Sequence, residues 1–469
     1  MDVSKIVINS KKAFPGCTFI PIRGEKFDGH QFIRDAVENG AIKVVFETSN
    51  PHVEEVKKSY NCVEFIEVDD TIKELGNIAK EHLKTLRSKC KVIAITGSVG
   101  KTTTKDITAT LLSSVGNVVF AKESYNNEIG VPLTIFEAQK DTDYLVLEIG
   151  ANHVGEIEYL ADICTPDIAV LLKIGVAHLG EFGSLSNIQS EKVKIFKNLG
   201  AENHQVGQLQ NKKSVAIFNH DDANADYIRE CMPKGAISME FGLDDVKDVR
   251  LDENGKLSFV LVDALSGAQK VQTDLVGEHN VYNVLAALRI TQALGLQQDE
   301  MIHVLKTAAP IAQHRMQVKQ IGNLTIVDDS YNANPDSMLS GLKASAQIAA
   351  QNNAKLVTIL GDMLELGDKT TAEHARIGTI ALNEIGVAQL IGIGTAWADF
   401  GEELDDKFRN KFKHVQGTLE EQKKQVLATC ILDENVVLLL KGSCALRLWE
   451  LGDYIIEYLE NLNQREGVV

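Results

Sequence analysis

Hydrophobic residues in this chain cluster in short, nearly unbroken runs, and the segments between the runs carry apolar residues at helical spacing. The runs are rich in Val, Ile and Leu, and each has the length of a single strand. They are KVIAITG (91–97), YLVLEIG (144–150), IAVLLKIG (168–175), LTIVDDS (324–330), KLVTILGD (355–362), LIGIG (390–394) and VVLLLKGS (436–443). Strands that are apolar on both faces are typical of parallel sheets covered by helices, so the pattern predicts an α/β protein.

Several of these runs end in Gly, Asp, Glu, Lys or Ser. In open parallel sheets, ligands bind at the carboxyl ends of the strands. We therefore expect the functional site where these polar endings meet.

A chain of 469 residues is too long for one hydrophobic core. A charged helical stretch at 72–90 separates a first unit from the rest, and the segment 304–316 precedes a new series of strands. The sequence predicts three domains at 1–88, 89–313 and 314–469.

The formal net charge of -17 argues against general binding to nucleic acid or to an anionic membrane, since both need a basic surface. The seven cysteines form no Cys-x-x-Cys pair, which is typical of reduced thiols in a cytosol. The chain also shows no apolar signal core and no run long enough to span a bilayer. We expect a cytoplasmic protein without membrane insertion.

A phosphate-binding loop is indicated by ITGSVGKTTTK at 95–105, although Ile95 stands where the longer pattern has its first glycine. Gly100-Lys101-Thr102 follows a predicted strand, and Ile107, Leu111 and Val115 then fall on one face of a predicted helix. Backbone N–H groups at such a helix start bind an anion, a lysine neutralises phosphate charge, and a threonine hydroxyl ligates Mg²⁺. The alternative is an ordinary glycine-rich turn.

An acidic strand end supports a metal site. Glu148 stands where the run 144–150 opens into a loop, and Mg²⁺ binds one or two such carboxylates beside phosphate oxygens. On its own, an acidic residue at such a position is more often a helix cap or a surface carboxylate.

Seven motifs in fixed order carry a family resemblance. They are TGSVGKTTTK (96–105), SYNNEIGVPLT (124–134), LEIGANHVGEI (147–157), AHLGEFGS (177–184), GEHNVYNVLAAL (277–288), DDSYNANPDSM (328–338) and GDMLELG (361–367), the last followed by His374. Together they resemble the Mur ligase family, which uses the shortened loop found here at 97–102. The resemblance implies a central P-loop-type ATP-binding parallel sheet and a C-terminal Rossmann-like domain.

The third-domain motifs are most similar to the family branch that joins D-alanyl-D-alanine to UDP-N-acetylmuramoyl-tripeptide. The resemblance implies a monomeric ATP-dependent amide ligase that forms an acyl phosphate and needs Mg²⁺, in the synthesis of cytoplasmic peptidoglycan precursors. Residues 1–88 would bind the UDP-sugar, 89–313 would form the ATPase domain, and 314–469 would bind the dipeptide.

The resemblance assigns the catalytic residues one position at a time. Lys101, Glu148, His178 and Lys192 are expected to be catalytic, and Thr102, Glu148, His178 and Lys192 to contact metal. Lys192 matches a lysine that the family carries as a carbamate, but Lys194 is a nearby competitor and the usual acidic residue after the modified lysine is absent. Outside this motif, a lone histidine after an apolar strand is more often structural.

The ATP contacts implied by the resemblance come from two domains. They are Gly97, Ser98, Val99, Gly100, Lys101, Thr102, Thr103, Asn280, Arg315 and Asp329. Because the last two lie in the third domain, we expect that domain to close on the second one to complete the ATP site.

The substrate contacts implied by the resemblance fall into three groups: Ser10, Arg23, Gly24, Asp28, Gly29 and His30 for the uridine nucleotide; Asn126 and Asn127 in the central domain; and Asn332, Asn334 and Pro335 for the dipeptide. The alternative for the last group is ordinary turn chemistry.

Four positions depart from the family pattern: Asn9 and Lys11 beside the uridine motif, Lys173 where a neutral Asn is common, and Cys444 where an arginine is usual. Two other functions stay open at this point. One is a Mur-family ligase with a different acceptor or amine, and the other is a non-catalytic nucleotide-binding partner of cell-wall enzymes.

Overall fold

A computed structural model describes residues 2–24, 27–48, 50–176, 179–199, 214–263, 267–307, 311–402, 404–432 and 435–466. Strands and helices alternate through these residues and build three α/β domains, which confirms the predicted class. Within the described ranges, no helix combines the length and the apolar character needed to cross a bilayer.

The first domain contains a small parallel sheet with its strands in chain order. Its strands are β1 (Ile6–Val7), β2 (Thr18–Phe19), β3 (Lys43–Glu47) and β4 (Glu64–Val68), and its helices are α1 (Ile33–Glu38), α2 (Pro51–Ser59) and α3 (Thr71–Leu86). The predicted charged helix is α3. It begins after Asp70, whose carboxylate accepts the backbone N–H groups of Ile72 and Lys73, and it ends at Leu86, four residues before the expected position.

The second domain is built on a six-stranded parallel sheet in the order β10-β9-β8-β5-β7-β6, with an antiparallel sheet β11-β12-β13 beside it. The strands are β5 (Lys91–Thr96), β6 (Val118–Phe120), β7 (Tyr144–Glu148), β8 (Ile168–Leu171), β9 (Val215–Asn219), β10 (Ile237–Phe241), β11 (Val246–Leu251), β12 (Lys256–Asp263) and β13 (Gly267–Val276). The helices are α4 (Lys101–Ser113), α5 (Gly130–Glu137), α6 (Glu156–Cys164), α7 (Leu179–Phe182), α8 (Leu185–Lys192), α9 (Ala225–Glu230), α10 (Asn280–Ala293) and α11 (Gln298–Leu305).

The third domain has a six-stranded sheet in the order β14-β15-β19-β16-β17-β18, in which only β14 runs antiparallel to its neighbour. The strands are β14 (Gln317–Ile321), β15 (Leu324–Asp328), β16 (Lys355–Gly361), β17 (Gln389–Ile393), β18 (Phe412–Val415) and β19 (Val436–Lys441). The helices are α12 (Pro335–Gln351), α13 (Thr370–Thr379), α14 (Ala396–Glu402), α15 (Leu419–Thr429) and α16 (Leu448–Glu466), with a π-helical turn at Ile380–Ile385.

Strand β5 shows why the apolar runs are unbroken. Val92 and Ala94 pack into the core on one face of the sheet, and Ile93 and Ile95 pack into the core on the other face. Because side chains alternate along a strand, a sheet covered by helices on both faces needs apolar residues at every position.

One expectation about α4 is wrong. Ile107 and Leu111 are buried as predicted, but Val115 lies beyond the end of the helix and is 42% exposed. The N–H groups of Ser114 and Val115 bond back to Leu111 and Leu112 in a tight final turn, and this turn takes Val115 off the buried face.

Candidate active site

The phosphate loop joins the carboxyl end of β5 to the start of α4. Gly97 has a φ of +154° and Gly100 a φ of +84°, and residues other than glycine rarely adopt these backbone conformations. A Cβ on Gly100 would also lie 2.4 Å from Oδ1 of Asn283. The loop therefore needs glycine at this position, and it delivers the chain into a helix N-terminus that attracts phosphate.

Lys101 occupies the first position of α4. Its Nζ donates to the carbonyl of Gly97 at 2.9 Å. Burial lowers the pKa of Lys101, and the positive charge of Arg315 lowers it further, whereas the Glu148 carboxylate raises it. A cation that is poorly solvated and close to a second cation gains from an anionic ligand.

Thr102 and Glu148 place two oxygen groups together at the carboxyl ends of β5 and β7. The Thr102 hydroxyl donates to Oε2 of Glu148 at 2.8 Å, and Nδ2 of Asn126 donates to Oε1 at 2.8 Å. Glu148 is only 3% exposed, so neither the helix cap nor the surface acid that we considered describes it. Its two hydrogen bonds compensate the burial of its charge.

These oxygen donors fit a hard divalent cation. Among the described residues, no three His, Cys, Asp or Glu side chains are grouped closely enough to hold a metal ion by themselves. A metal at Thr102 and Glu148 would thus draw most of its ligands from phosphate and water, as Mg²⁺ usually does. Lys192 and His178 are the other expected metal contacts, and His178 lies outside the described residues.

Lys192 and Lys194 differ sharply in environment. Lys192, at the end of α8, is 2% exposed, and burial together with the charge of Lys101 lowers its pKa to about 7. Lys194 forms ion pairs with Glu158 at 3.3 Å and Glu191 at 3.0 Å and remains partly exposed. Only Lys192 combines burial with the electrostatic influence of Lys101.

A chain of amide side chains links α10 to α4. Asn280 donates from Nδ2 to the carbonyl of Val276 at 2.8 Å, and its Oδ1 accepts Nδ2 of Asn283 at 2.7 Å. Oδ1 of Asn283 in turn accepts the hydroxyl of Thr104 at 3.2 Å. Asn280 is thereby held in one orientation beside the phosphate loop.

Arg315 enters the site from the connection between the second and third domains. Its flanking residues His314 and Met316 adopt φ values of +59° and +49°, and its guanidinium stacks on the ring of Tyr331 at 4.5 Å. Within the part of the chain that the structure describes, Nε of Arg315 is buried without a hydrogen-bond partner. A buried donor without a partner is unusual in a folded protein.

Asp329 follows β15 and is fixed from two sides. Its Oδ2 accepts Nζ of Lys441 at 2.6 Å, and its Oδ1 accepts the backbone N–H of Met316 at 3.2 Å. Lys441 is 2% exposed and also donates to the carbonyl of Asn332.

These groups surround a cavity of about 600 Å³ that is lined by residues of both the second and the third domain. The predicted residues that line it are Ser98, Val99, Gly100, Lys101, Thr102, Thr103, Asn126, Glu148, Asn280, Arg315, Asp329, Asn332 and Asn334. Gly97, Asn127, Lys192 and Pro335 lie near it without forming its wall. Oδ1 of Asn127 accepts the N–H of Gly130, the first residue of α5, and Asn334 and Pro335 are the N-cap and first residue of α12. Turn and capping chemistry therefore accounts for their local geometry.

The cavity residues missed from the sequence include four at or just after strand ends: Asn219, Asp221, Asp222 and Lys441. Each follows or ends a buried strand, β9 or β19, so the rule about polar strand ends would have found them. Asp222 also accepts the backbone N–H of Ile174 at 2.7 Å, which ties the end of β9 to the loop after β8.

The predicted uridine-site residues lie in the first domain, and none of them lines this cavity. Arg23 forms ion pairs with Asp28 at 3.4 Å and Glu47 at 2.9 Å. Two backbone hydrogen bonds close the loop, because the N–H groups of Gly24 and Gly29 donate to the carbonyls of Phe27 and Ile22. Ser10 lies apart, in a short turn after β1.

The contact expected from the His30 side chain is not supported. The imidazole is fully buried, with Nδ1 2.6 Å from Asp28 and Nε2 accepting the N–H of Glu47 at 3.1 Å. Both ring nitrogens are occupied, so His30 supports the loop from within.

Comparison with known proteins places the chain in a family. The Mur ligase family catalytic domain matches residues 2–83, the Mur ligase middle domain residues 95–291, and the Mur ligase glutamate ligase domain residues 314–444. The UDP-N-acetylmuramoyl-tripeptide:D-alanyl-D-alanine ligase of Mycobacterium bovis is 34% identical over 411 residues, which cover 83% of this chain and 77% of the relative. The chain belongs to the Mur ligase family.

Two solved Mur ligases share the whole architecture. MurF from Acinetobacter baumannii superposes with a TM-score of 0.83 at 31% identity, covering 98% of this chain and 94% of that one. MurF ligase from Thermotoga maritima, solved in complex with ADP, superposes with a TM-score of 0.79 at 26% identity, covering 98% and 99%. This Mur ligase therefore has the complete three-domain fold.

Proposed function

We propose that this Mur ligase joins D-alanyl-D-alanine to UDP-N-acetylmuramoyl-tripeptide at the expense of ATP, releasing ADP and phosphate. The cavity carries the proposal, because it places a phosphate loop of the second domain opposite Arg315, Asp329 and Asn332 of the third domain. The near full-length similarity to ligases of that specificity supports the choice of substrates.

The chemistry follows from the poor leaving group of a carboxylate. ATP transfers its γ-phosphoryl group to the peptide carboxylate and leaves as ADP, and the amine of the dipeptide attacks the resulting acyl phosphate. The tetrahedral intermediate then expels phosphate, and the ammonium proton is released. Negative charge develops on oxygen in both steps, and the cations Lys101 and Arg315, which both line the cavity, would stabilise it.

Thr102 and Glu148 would hold Mg²⁺, which neutralises phosphate charge when bound. Lys192 would contribute as a carbamate, formed when its neutral amine adds to CO₂ and loses a proton. The lowered pKa of about 7 supports this step, because a substantial share of the amine is unprotonated at neutral pH. A carbamate would also replace a cation beside Lys101 with an anion.

The two substrates would bind to different domains, the first and the third. The loop that contains Arg23, Gly24, Asp28 and Gly29 is our proposed uridine-nucleotide site, with His30 as its internal support. Asn332 and Asn334 line the cavity near the start of α12. The loop at 361–367 is held by His374, whose Nε2 accepts the N–H of Met363 at 2.9 Å. These groups form our proposed dipeptide site.

A cytoplasmic, monomeric protein remains our prediction. The seven cysteines are all free in the structure, which is consistent with a reducing compartment.

The decisive experiment measures phosphate release from ATP with Mg²⁺, UDP-N-acetylmuramoyl-tripeptide and D-alanyl-D-alanine. Each component is omitted in turn, and the product is identified by mass. Release that needs both the tripeptide and the dipeptide and yields the pentapeptide nucleotide supports the proposal. Release with another amine or acceptor would indicate a different Mur-family specificity, and nucleotide binding without any turnover would indicate a non-catalytic partner.

A further inference from the structure

An ion pair connects the second and third domains at the edge of the cavity. Lys173 follows β8, and its backbone carbonyl accepts the N–H of Ser98 in the phosphate loop at 2.8 Å. Its Nζ lies 2.8 Å from Oδ1 of Asp336, in the first turn of α12. The side chain therefore spans from the phosphate loop to the helix that carries the proposed dipeptide residues.

Asp336 is closely enclosed on the side of the second domain. A Cβ built on Gly175 would lie 2.3 Å from Oδ2 of Asp336 and 3.4 Å from Cβ of Ser98. The carboxylate thus lies against the backbone beside the phosphate loop, and the glycine allows this close approach.

The other end of α12 contacts the second domain through neutral amides. Gln347 donates to Glu278 at 2.8 Å, and Gln351 donates to the carbonyl of Leu251 at 2.8 Å. The N-terminal end of the helix is instead attached through charge.

We propose that Lys173 and Asp336 are positioning residues for the ligase reaction. Their ion pair holds the start of α12, with Asn334, against the phosphate loop. The dipeptide site and the ATP site therefore keep their relative position. The side chains are 43% and 30% exposed, so water weakens the pair and domain opening can break it reversibly. This inference rests on the proposed function.

A double-mutant cycle tests the pair. Lys173→Gln and Asp336→Asn should each raise KM for D-alanyl-D-alanine about two- to fivefold with little change in kcat, as expected for a half-exposed ion pair. The double variant should be no worse than either single variant, because the interaction has already been lost. Lys173→Arg should restore most of the affinity.

The matched control is the ion pair between Lys256 and Asp274, which is similarly exposed at 45% and 42% but lies within the second domain. Lys256→Gln should leave KM for the dipeptide unchanged. Additive effects in the cycle, or a Lys173→Gln effect confined to KM for ATP with Asp336→Asn silent, would overturn the proposal, because Lys173 would then act without Asp336.

Small-angle X-ray scattering separates this inference from the proposed function. The single variants should increase the radius of gyration of the ligand-free protein, and Lys173→Arg should return it to the wild-type value. If the wild-type protein shows no ligase turnover, the proposed function fails while this measurement still tests the pair. Unchanged scattering from both single variants would refute a role in holding the domains together.

Discussion

At the scale of single residues, the site combines a half-buried lysine, Lys101, with a fully buried one, Lys192. Burial lowers the pKa of both Lys101 and Lys192, and each lysine is affected by a further positive charge nearby. Such an arrangement costs stability in the absence of an anion and favours the binding of one. This conflict between stability and function can be measured.

Lys192→Met should stabilise the protein while abolishing activity. The unfolded amine holds its proton up to about pH 10.5, whereas the folded amine releases it near pH 7, so the unfolded state binds more protons between these values. The cost of burying Lys192 is therefore full below pH 7 and declines as pH rises. In CO₂-free buffer, the rise in Tm should be larger at about pH 7 than at about pH 9, and kcat should fall at least about 100-fold.

Lys194→Met is the matched control, since Lys194 lies two positions away and is ion-paired near the surface. It should keep activity and should not raise Tm. An equal rise in Tm at both pH values for Lys192→Met would show that the pKa of Lys192 is not lowered in the folded protein.

Glu148→Gln should weaken the affinity for Mg²⁺ without disturbing the fold. The amide keeps the shape of the side chain but removes the charge that faces Thr102, so the Mg²⁺ concentration for half-maximal phosphate release should rise about 10- to 100-fold. Circular dichroism should confirm an unchanged fold. An unaltered Mg²⁺ titration would place the metal elsewhere.

At the scale of elements, the strand pattern proved the most predictable feature, and helix ends the least. The seven apolar runs all became strands, because a strand buried on both faces leaves a continuous apolar signature. The end of α4 was misplaced because helical spacing continues through Val115, while the local turn ends the helix two residues earlier. The phosphate loop between β5 and α4 was recognised from its glycines.

Gly100→Ala tests the loop as an element. The left-handed backbone costs an alanine about 1–2 kcal/mol, and the new Cβ would also displace Asn283 from its bonds to Asn280 and Thr104. We expect a loss of unfolding free energy in urea and a weaker affinity for ATP. Gly322→Ala is the control for backbone strain alone, with a φ of +56° and open space around its Cα. If both variants lose the same stability and Gly100→Ala binds ATP normally, the packing against Asn283 is unimportant.

At the scale of the whole molecule, helix α4 connects the phosphate loop to the third domain. Lys105 and Asp106 are fully buried and lie 3.1 Å apart, and Oδ2 of Asp106 accepts the N–H groups of Ile311 at 2.9 Å and Ala312 at 3.0 Å. The same helix that starts at the phosphate loop therefore anchors the chain just before Arg315. This connection could not be read from the sequence, because the partners lie about two hundred positions apart.

Asp106→Ala should destabilise the protein by about 3–5 kcal/mol, since it leaves the buried Lys105 ammonium without its carboxylate and two backbone donors without an acceptor. Thermal unfolding measures this loss. Adding Lys105→Met should recover a large part of it, because the uncompensated charge is removed. Lys256→Gln, at an exposed pair, is the control and should change Tm little. A loss as small as that of the control would mean that the buried pair is already neutral.

The sequence by itself determined the α/β class, the polar residues at the ends of several strands, the phosphate loop and the family motifs. These features are local, since periodicity, glycine spacing and short motifs are written in neighbouring residues. The tertiary structure alone decided which side chains share the cavity, that Lys192 rather than Lys194 is buried near Lys101, and that His30 faces inward. It also paired Lys173 with Asp336, because burial, charge proximity and contacts between domains depend on how distant segments pack.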